Sequence, residues 1–315
     1  MSAYKLSFVV PIYGVEQYIV KFAESVFNQT RSGVQYVFVN DGTKDASMEI
    51  LERLIDEKYA HLRKDIVIVH QENQGLPIAR KTGIMNASGE YILLIDSDDW
   101  IEPTTVEKLT DAMAQSDADM ICFGFYKERR NRYTLKRNKM YKIEEKLTFI
   151  ADLYNYRAFG YTWNKCFRRS LYVDYEMHTP PHGMHEDIYL MSQIIYHARS
   201  FYHIKDYLYH YRTFNLSSIS SQSRRNREVT SVYNQLDLYD KFRSDIDHSP
   251  LKEAAGGIVL RAVWNGLKFK EDFYATYPWL EEEVRKARVG GDYLLPLYKQ
   301  LYVKLYNHRR MNKKQ

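Results

Sequence analysis

The sequence predicts an α/β fold: a mostly parallel sheet flanked by helices, followed by a helical C-terminal region. Three observations predict it. Short apolar runs recur through residues 4–125. Stretches with apolar residues at helical spacing separate them. Beyond about residue 217 only the helical spacing continues. Strands alternating with helices indicate parallel strands covered on both faces. Right-handed crossovers then gather the C-terminal ends of the strands on one edge, where ligands bind in such folds.

In chain order, Leu6–Val10 reads as a first strand. Glu16–Gln29 is a helix with Ile19, Phe22, Ala23, Val26 and Phe27 on one face. Val34–Val39 is a second strand, ended by Asn40-Asp41-Gly42. The next helix turns Met48, Leu51, Leu54 and Ile55 inward. Ile66–Val69 is a third strand and Pro77–Asn86 a third helix. Glu90–Ile95, apolar without alternation in its last five positions, suits a strand buried on both faces. It runs into Asp96-Ser97-Asp98-Asp99. Pro103 favours the first turn of a helix that carries Val106, Leu109 and Met113. Met120–Tyr126 is a further strand, and Arg129–Lys142 a basic loop or hairpin. Glu144–Tyr156 and Glu186–His197 read as helices, and Phe201–Tyr211 as a tyrosine-rich strand. Val229–Phe242, Ala254–Phe269 and Leu294–Tyr306 keep helical spacing. A division follows, with residues 1–215 as the binding and catalytic unit and 216–315 as a helical region.

Composition removes several classes. Of the 315 residues 45% are hydrophobic and 27% charged, which excludes collagen-like, disordered and coiled-coil chains. Mean hydropathy is −0.52, and no run of about 18 apolar residues could cross a bilayer. Cys122 and Cys166 cannot build a disulfide framework, and their spacing fits no zinc motif. With no leader signature at the N-terminus, a cytoplasmic protein is expected. The net charge of +5 is local: residues 127–142 hold eight bases and one acid, and residues 293–315 hold six bases and no acid. No nucleic-acid-binding motif accompanies these patches, so nucleic acid is not an expected partner.

The polar chemistry sits at strand ends. Three acids follow a core strand, where they are costly without a compensating positive charge. Asp96 and Asp98 alternate across an extended turn, so one can face a ribose and the other a cation. Hard cations such as Mg²⁺ or Mn²⁺ suit carboxylate oxygens and keep positions open for phosphate. Tyr13 offers a flat face for stacking, and Asp41 an acceptor for a ring N–H or a ribose hydroxyl. Arg80, at the start of a helix, can meet a phosphate or an acid of the cluster, or lie on a solvated face. Taken singly, each has a bland reading as turn, core or surface residue.

Together these segments resemble the inverting glycosyltransferases of family two, of GT-A (Rossmann-like) fold. The resemblance rests on Val9-Val10-Pro11-Ile12-Tyr13, Asn40-Asp41-Gly42-Thr43-Lys44-Asp45, Asn73-Gln74-Gly75 with Ala79-Arg80, and Ser88-Gly89-Glu90-Tyr91 running into Asp96-Ser97-Asp98-Asp99-Trp100. It covers residues 4–125 most closely and extends, more weakly, to about 220. It implies a nucleotide-sugar donor, usually a UDP-sugar, and a saccharide or lipid-linked acceptor in bacterial surface polysaccharide synthesis. Tyr13 would lie against the uracil and Asp41 would bond its N3. Pro11 and Arg80 would line the nucleotide pocket, and Asp96 would bond the ribose side. Asp98 would hold Mn²⁺ or Mg²⁺ on the diphosphate. In His185-Glu186-Asp187, Asp187 would be the general base and Glu186 an acceptor-binding neighbour. Trp163 would stack on an acceptor sugar. His210 would join the metal, and Arg212 the diphosphate. Asn40, Lys81 and Gly14 depart from the family's usual Asp, Asn and Asn, and none removes a required charge.

Residues 293–315 place Leu294, Leu297, Tyr298, Leu301, Tyr302 and Leu305 on one helical stripe, with bases around it. This pattern suits either peripheral contact with the inner face of the cell membrane or a terminal helix packed on the body. A homo-oligomer is compatible with the sequence. Two other functions compete: a sugar-phosphate nucleotidyltransferase, and a non-catalytic nucleotide-sugar-binding subunit of an assembly complex. The nucleotidyltransferase would want a glycine-rich, cation-bearing loop after the first strand, and Pro11–Tyr18 has one glycine and no cation.

Overall fold

A computed structural model describes residues 4–175, 177–180, 185–213, 224–241 and part of the segment 258–280. Its sheet has nine strands among the described residues: β1 (Leu6–Ile12), β2 (Val34–Asp41), β3 (Ile66–Gln71), β4 (Tyr91–Leu94), β5 (Trp100–Ile101), β6 (Met120–Arg129), β7 (Arg132–Lys136), β8 (Lys165–Arg168) and β9 (Phe201–Arg212). The order is β3-β2-β1-β4-β8-β6-β9-β5, with β7 paired to β6. Strands β1 to β4 are mutually parallel. β8 is antiparallel to both β4 and β6, so β6 and its parallel partner β9 run in the direction of β4.

The helices are α1 (Ile19–Phe27), α2 (Ser47–Lys58), α3 (Leu76–Asn86), α4 (Thr105–Ser116), α5 (Lys146–Tyr154), α6 (Ser170–Val173), α7 (Glu186–His197) and α8 (Arg224–Lys241). Side chains alternate along the central strands, so each strand feeds two cores. Phe8, Val10 and Ile12 pack with residues of α1, α2 and α4 on one face. Val9, Ile92 and Leu94 pack with residues of α3, α5, α7 and α8 on the other. At Gly83 in α3 a β-carbon would come within 2.4 Å of Val9 Cγ1, which is why that helix can lie so close to β1.

The structure departs from expectation at β8. This four-residue strand lies at the centre of the sheet and reverses its local direction, so the sheet is mixed on that side. The basic segment after β6 is a hairpin. The apolar side of α8 joins the core that α5 and α7 line, and Tyr189 Oη donates to Asp237 Oδ2 at 2.6 Å. The expected division at 215/216 and the stripe at 293–315 lie outside the described residues.

Candidate active site

β1, β2 and β4 are parallel, so their C-terminal ends open on one edge. Tyr13 follows β1 and is 54% exposed, leaving ring surface for a stacking partner. Pro11 is buried in β1, and its carbonyl accepts from Ser97 Oγ at 2.8 Å, which ties the acidic turn to that strand. Asp41 closes β2. Its Oδ1 accepts from Gln71 Nε2 at 2.7 Å and from the Gln74 amide at 2.9 Å, and its Oδ2 from the Gly75 amide at 2.9 Å. Asp41 thus orders the turn that leads into α3. Gly42, at φ 65°, sits so close that a β-carbon would lie 2.8 Å from the Asn73 nitrogen.

Arg80 organises the edge. One terminal nitrogen donates to Asp96 Oδ1 at 2.7 Å, and the other to Glu186 Oε2 at 2.5 Å. The start of α3, the acidic turn and the start of α7 therefore meet at one guanidinium. Burial opposes the charge of Arg80, but Glu186 and Asp96 more than offset this and hold its pKa above the ordinary arginine value. Its Nε is buried without a partner among the described residues. Glu186 moves the other way for a carboxylate: burial is the main cause, Asp187 and Asp96 add to it, and Arg80 offsets part, leaving it pushed up to about 8. Three acids face one fixed positive charge, and Glu186 is the most buried of them. Asp187 Oδ1 accepts from the Ile188 amide at 2.9 Å, at the helix N-terminus. That bond fixes the carboxylate and leaves its second oxygen for another donor.

The other acids divide their work. Asp99 is buried, accepting from Tyr209 Oη at 2.8 Å and the Arg212 amide at 2.7 Å. Burial first, then Asp98 and Asp96, push its pKa well above the carboxylate range. Asp99 therefore locks β9 under the turn. Arg212 Nε donates to the Asp98 carbonyl at 2.8 Å, and its guanidinium lies over Tyr18 and Trp100. Among the described residues no group of three or more His, Cys, Asp and Glu side chains converges to hold a metal. Asp96 is committed to Arg80 and Asp99 to β9. A cation on the half-buried Asp98 would draw its other ligands largely from diphosphate oxygens and water, an all-oxygen set that suits Mg²⁺ or Mn²⁺. The residues fit a cation whose shell the substrate completes.

Two expected roles are corrected. Trp163 is 2% exposed, stacked on Tyr161 (ring centroids 4.5 Å) and Tyr209 (4.3 Å), with Phe125 edge-on at 4.8 Å. Neither face is open to a sugar, because an indole in a tyrosine stack is core. His210 has Nδ1 on Glu128 at 2.8 Å and Nε2 on Glu102 at 2.7 Å, and its ring lies between Trp100 and Tyr126. Both ring nitrogens are engaged, leaving none for a metal.

Asp99, Tyr209 and Lys165 hold places that the sequence left without a role. Lys165 is fully buried in β8 and donates to the carbonyls of Phe159 (2.9 Å) and Tyr161 (2.8 Å) and to Asn164 Oδ1 (2.7 Å). Burial lowers its pKa to about 8. A lysine opening the short apolar run Cys166-Phe167 was the available signal.

The mostly parallel α/β sheet, with an exposed aromatic ring, a buried carboxylate and an acidic turn at its strand ends, is a GT-A fold. The chain belongs to glycosyl transferase family 2, whose pattern matches residues 7–175. EpsH of Bacillus subtilis (strain 168), a glycosyltransferase by name, is 35% identical over 225 residues, which cover 70% of this chain and 63% of EpsH. Glycosyltransferase GlyA of Streptococcus pneumoniae serotype 4 is 26% identical over 311 residues, covering 90% of this chain and 43% of GlyA. The chain thus spans less than two thirds of the length of either relative. In fold it is similar to Staphylococcus aureus TarS 1–349 in complex with UDP-GlcNAc, with a TM-score of 0.68 at 18% identity over 90% of this chain and 82% of that one. It is also similar to the mannosyltransferase PcManGT of Pyrobaculum calidifontis, in complex with GDP-Man and Mn²⁺, with a TM-score of 0.52 at 14% identity over 98% and 80%. No described helix is long and apolar enough to cross a membrane.

Proposed function

We propose that this chain is a metal-dependent inverting glycosyltransferase. It moves a sugar from a nucleotide donor, UDP-linked, to a hydroxyl of a saccharide or lipid-linked acceptor in cell-surface polysaccharide synthesis. The observation that carries this reading is the guanidinium of Arg80, which joins Asp96, the proposed donor-side acid, to Glu186, the neighbour of the proposed base Asp187. A donor lying along the strand ends would bring its anomeric carbon beside Asp187, next to this bridge. Support for the donor comes from the TarS and PcManGT complexes, which hold UDP-GlcNAc and GDP-Man. Family membership favours sugar transfer over nucleotidyl transfer, and the fixed carboxylate of Asp187 favours catalysis over mere binding.

In this reading Tyr13 stacks on the base, while Asp41 bonds it through the lone pair left on Oδ2 and Pro11 lines its pocket. Asp96 faces the ribose side, and Arg212 lies beside the diphosphate. Bound through Asp98, a divalent cation would neutralise charge on the leaving diphosphate. Asp187 takes the proton from the acceptor hydroxyl as its oxygen attacks the anomeric carbon, and the bond from that carbon to the diphosphate oxygen breaks. One displacement inverts the centre. Glu186, fixed on Arg80, orients the acceptor side.

The test is transfer itself. Full-length protein with Mn²⁺, a panel of UDP- and GDP-sugars and short glycan or lipid-linked acceptors is expected to release nucleoside diphosphate and yield a product of inverted anomeric configuration. A product with retained configuration contradicts the mechanism, and release of inorganic pyrophosphate from a nucleoside triphosphate and a sugar phosphate contradicts the reaction class.

A further inference from the structure

The hairpin of β6 and β7 does not contribute to the site above, yet it has the strongest local charge of the described chain. Residues 127–142 hold eight bases and one acid. The acid, Glu128, is turned inward onto His210 and is 14% exposed, so it does not neutralise the outer surface. Arg129, Arg130, Arg132 and Lys136 are exposed, with no acidic partner among the described residues. All of β7 is exposed. Three large apolar side chains are exposed on the same hairpin and its continuation, Tyr133 at 57%, Leu135 at 48% and Met140 at 51%, with Tyr133 and Leu135 on the Glu128 face of the ribbon and Arg129, Arg132 and Lys136 on the other.

We propose that this hairpin is a docking surface for a bilayer bearing anionic lipid headgroups. Charge complementarity alone would fit any polyanion. A soluble polyanion, however, gains nothing from exposed Leu135 and Met140, whereas a ribbon lying with its apolar face at the boundary between headgroups and acyl chains buries them while the long basic side chains of its other face reach round to the phosphates. The position adds a second argument. β6 runs in the direction of β4, so its outer end leaves the sheet on the edge that carries Asp96 to Asp99. Glu128 pairs in register with Arg212, and the Thr213 amide donates to the Glu128 carbonyl at 3.2 Å. A membrane against the hairpin would therefore lie beside the candidate active edge. That benefit rests on the proposed transfer to a lipid-linked acceptor, but the docking surface itself does not.

The experiment is co-sedimentation of the full-length protein, without donor or acceptor, with phosphatidylcholine vesicles and with vesicles containing about one part in three phosphatidylglycerol. Binding is expected only to the anionic vesicles. The quadruple variant R129E/R130E/R132E/K136E should bind them at least about tenfold more weakly. L135S with M140S should weaken binding several-fold at unchanged charge. All changed side chains are exposed, and far-UV circular dichroism and melting should match the unaltered chain. L135D alone provides a milder variant with the same expected direction. Equal binding of the quadruple variant, equal binding to neutral vesicles, or binding of soluble polyphosphate with no binding to vesicles would each overturn the proposal. Failure here leaves the transferase reading intact, because no step of the assay uses a sugar nucleotide.

Discussion

Arg80 and Glu186 lie 106 positions apart in sequence and 2.5 Å apart in space, with 4% and 9% of their side chains exposed. The same guanidinium holds Asp96 at 2.7 Å. A planar fork with two donating ends can bridge two carboxylates, and an ammonium on a flexible stem cannot do so in the same geometry. Arg80→Lys should therefore cost stability and turnover together. Removing one partner of a buried ion pair costs about 3–5 kcal/mol, and the lysine recovers only part of that. Urea unfolding should show a loss of about 2 kcal/mol or more. Turnover should fall about a hundredfold or more, as expected when a positioned catalytic pair is displaced. A variant with unchanged unfolding midpoint would contradict the bridge.

Glu186 gives the pH dependence. Its folded-state pKa is raised to about 8 from 4.5, so between those values the folded state holds a proton that the unfolded state has lost. Stability from this group is present at low pH and declines as pH rises through that window. Glu186→Gln keeps an acceptor for Arg80 but removes the titration. The melting temperature of the variant relative to the unaltered chain should therefore climb from pH 5 towards about pH 8, in differential scanning calorimetry. A constant difference would mean that Glu186 is ionised throughout.

Asp187→Asn should leave nucleotide binding within about twofold and lower turnover by roughly a hundredfold to ten-thousandfold, the range for loss of a positioned general base. Calorimetric titration of UDP with Mn²⁺ and steady-state transfer rates provide the two readouts. Unchanged turnover would remove Asp187 from the chemistry.

Tyr13 is the opposite case, an exposed ring that supports little of the fold. Tyr13→Ala should leave the melting temperature nearly unchanged. Loss of one aromatic stack, about 0.5–1.5 kcal/mol, should weaken UDP binding by about two- to twelvefold. A large loss of stability with no change in UDP affinity would reassign the ring to packing.

Much of this fold was legible because its signals are local. The buried runs of β1, β2 and β4, the amphipathic spacing of α1 and α4 and the turns after the strands need only nearby residues. Tyr13, Asp41 and the acidic turn could be assigned to one edge because crossover handedness fixes where parallel strands end. The partners could not be assigned. That Arg80 selects both Asp96 and Glu186, and that Asp99 is spent on Tyr209, depends on packing between distant segments. β8 escaped notice because four residues give too little periodicity, and its lysine reads as surface until it is seen bonding three oxygens inside the core. Trp163 and His210 misled for a related reason. Sequence gives their chemistry, but only the fold shows that tyrosines cover the indole and two glutamates take the imidazole.

If a divalent cation held by Asp98 joins the protein to a nucleoside diphosphate, UDP and Mn²⁺ must stabilise the chain jointly, and one melting series reveals it. With UDP and Mn²⁺ together the unaltered chain should melt several degrees higher than with either alone, as binding linkage requires. Asp98→Asn should lose that joint increment, measured from its own melting temperature in the absence of ligand. A joint increment equal in both proteins, or none in the unaltered chain, would rule out a cation held by Asp98.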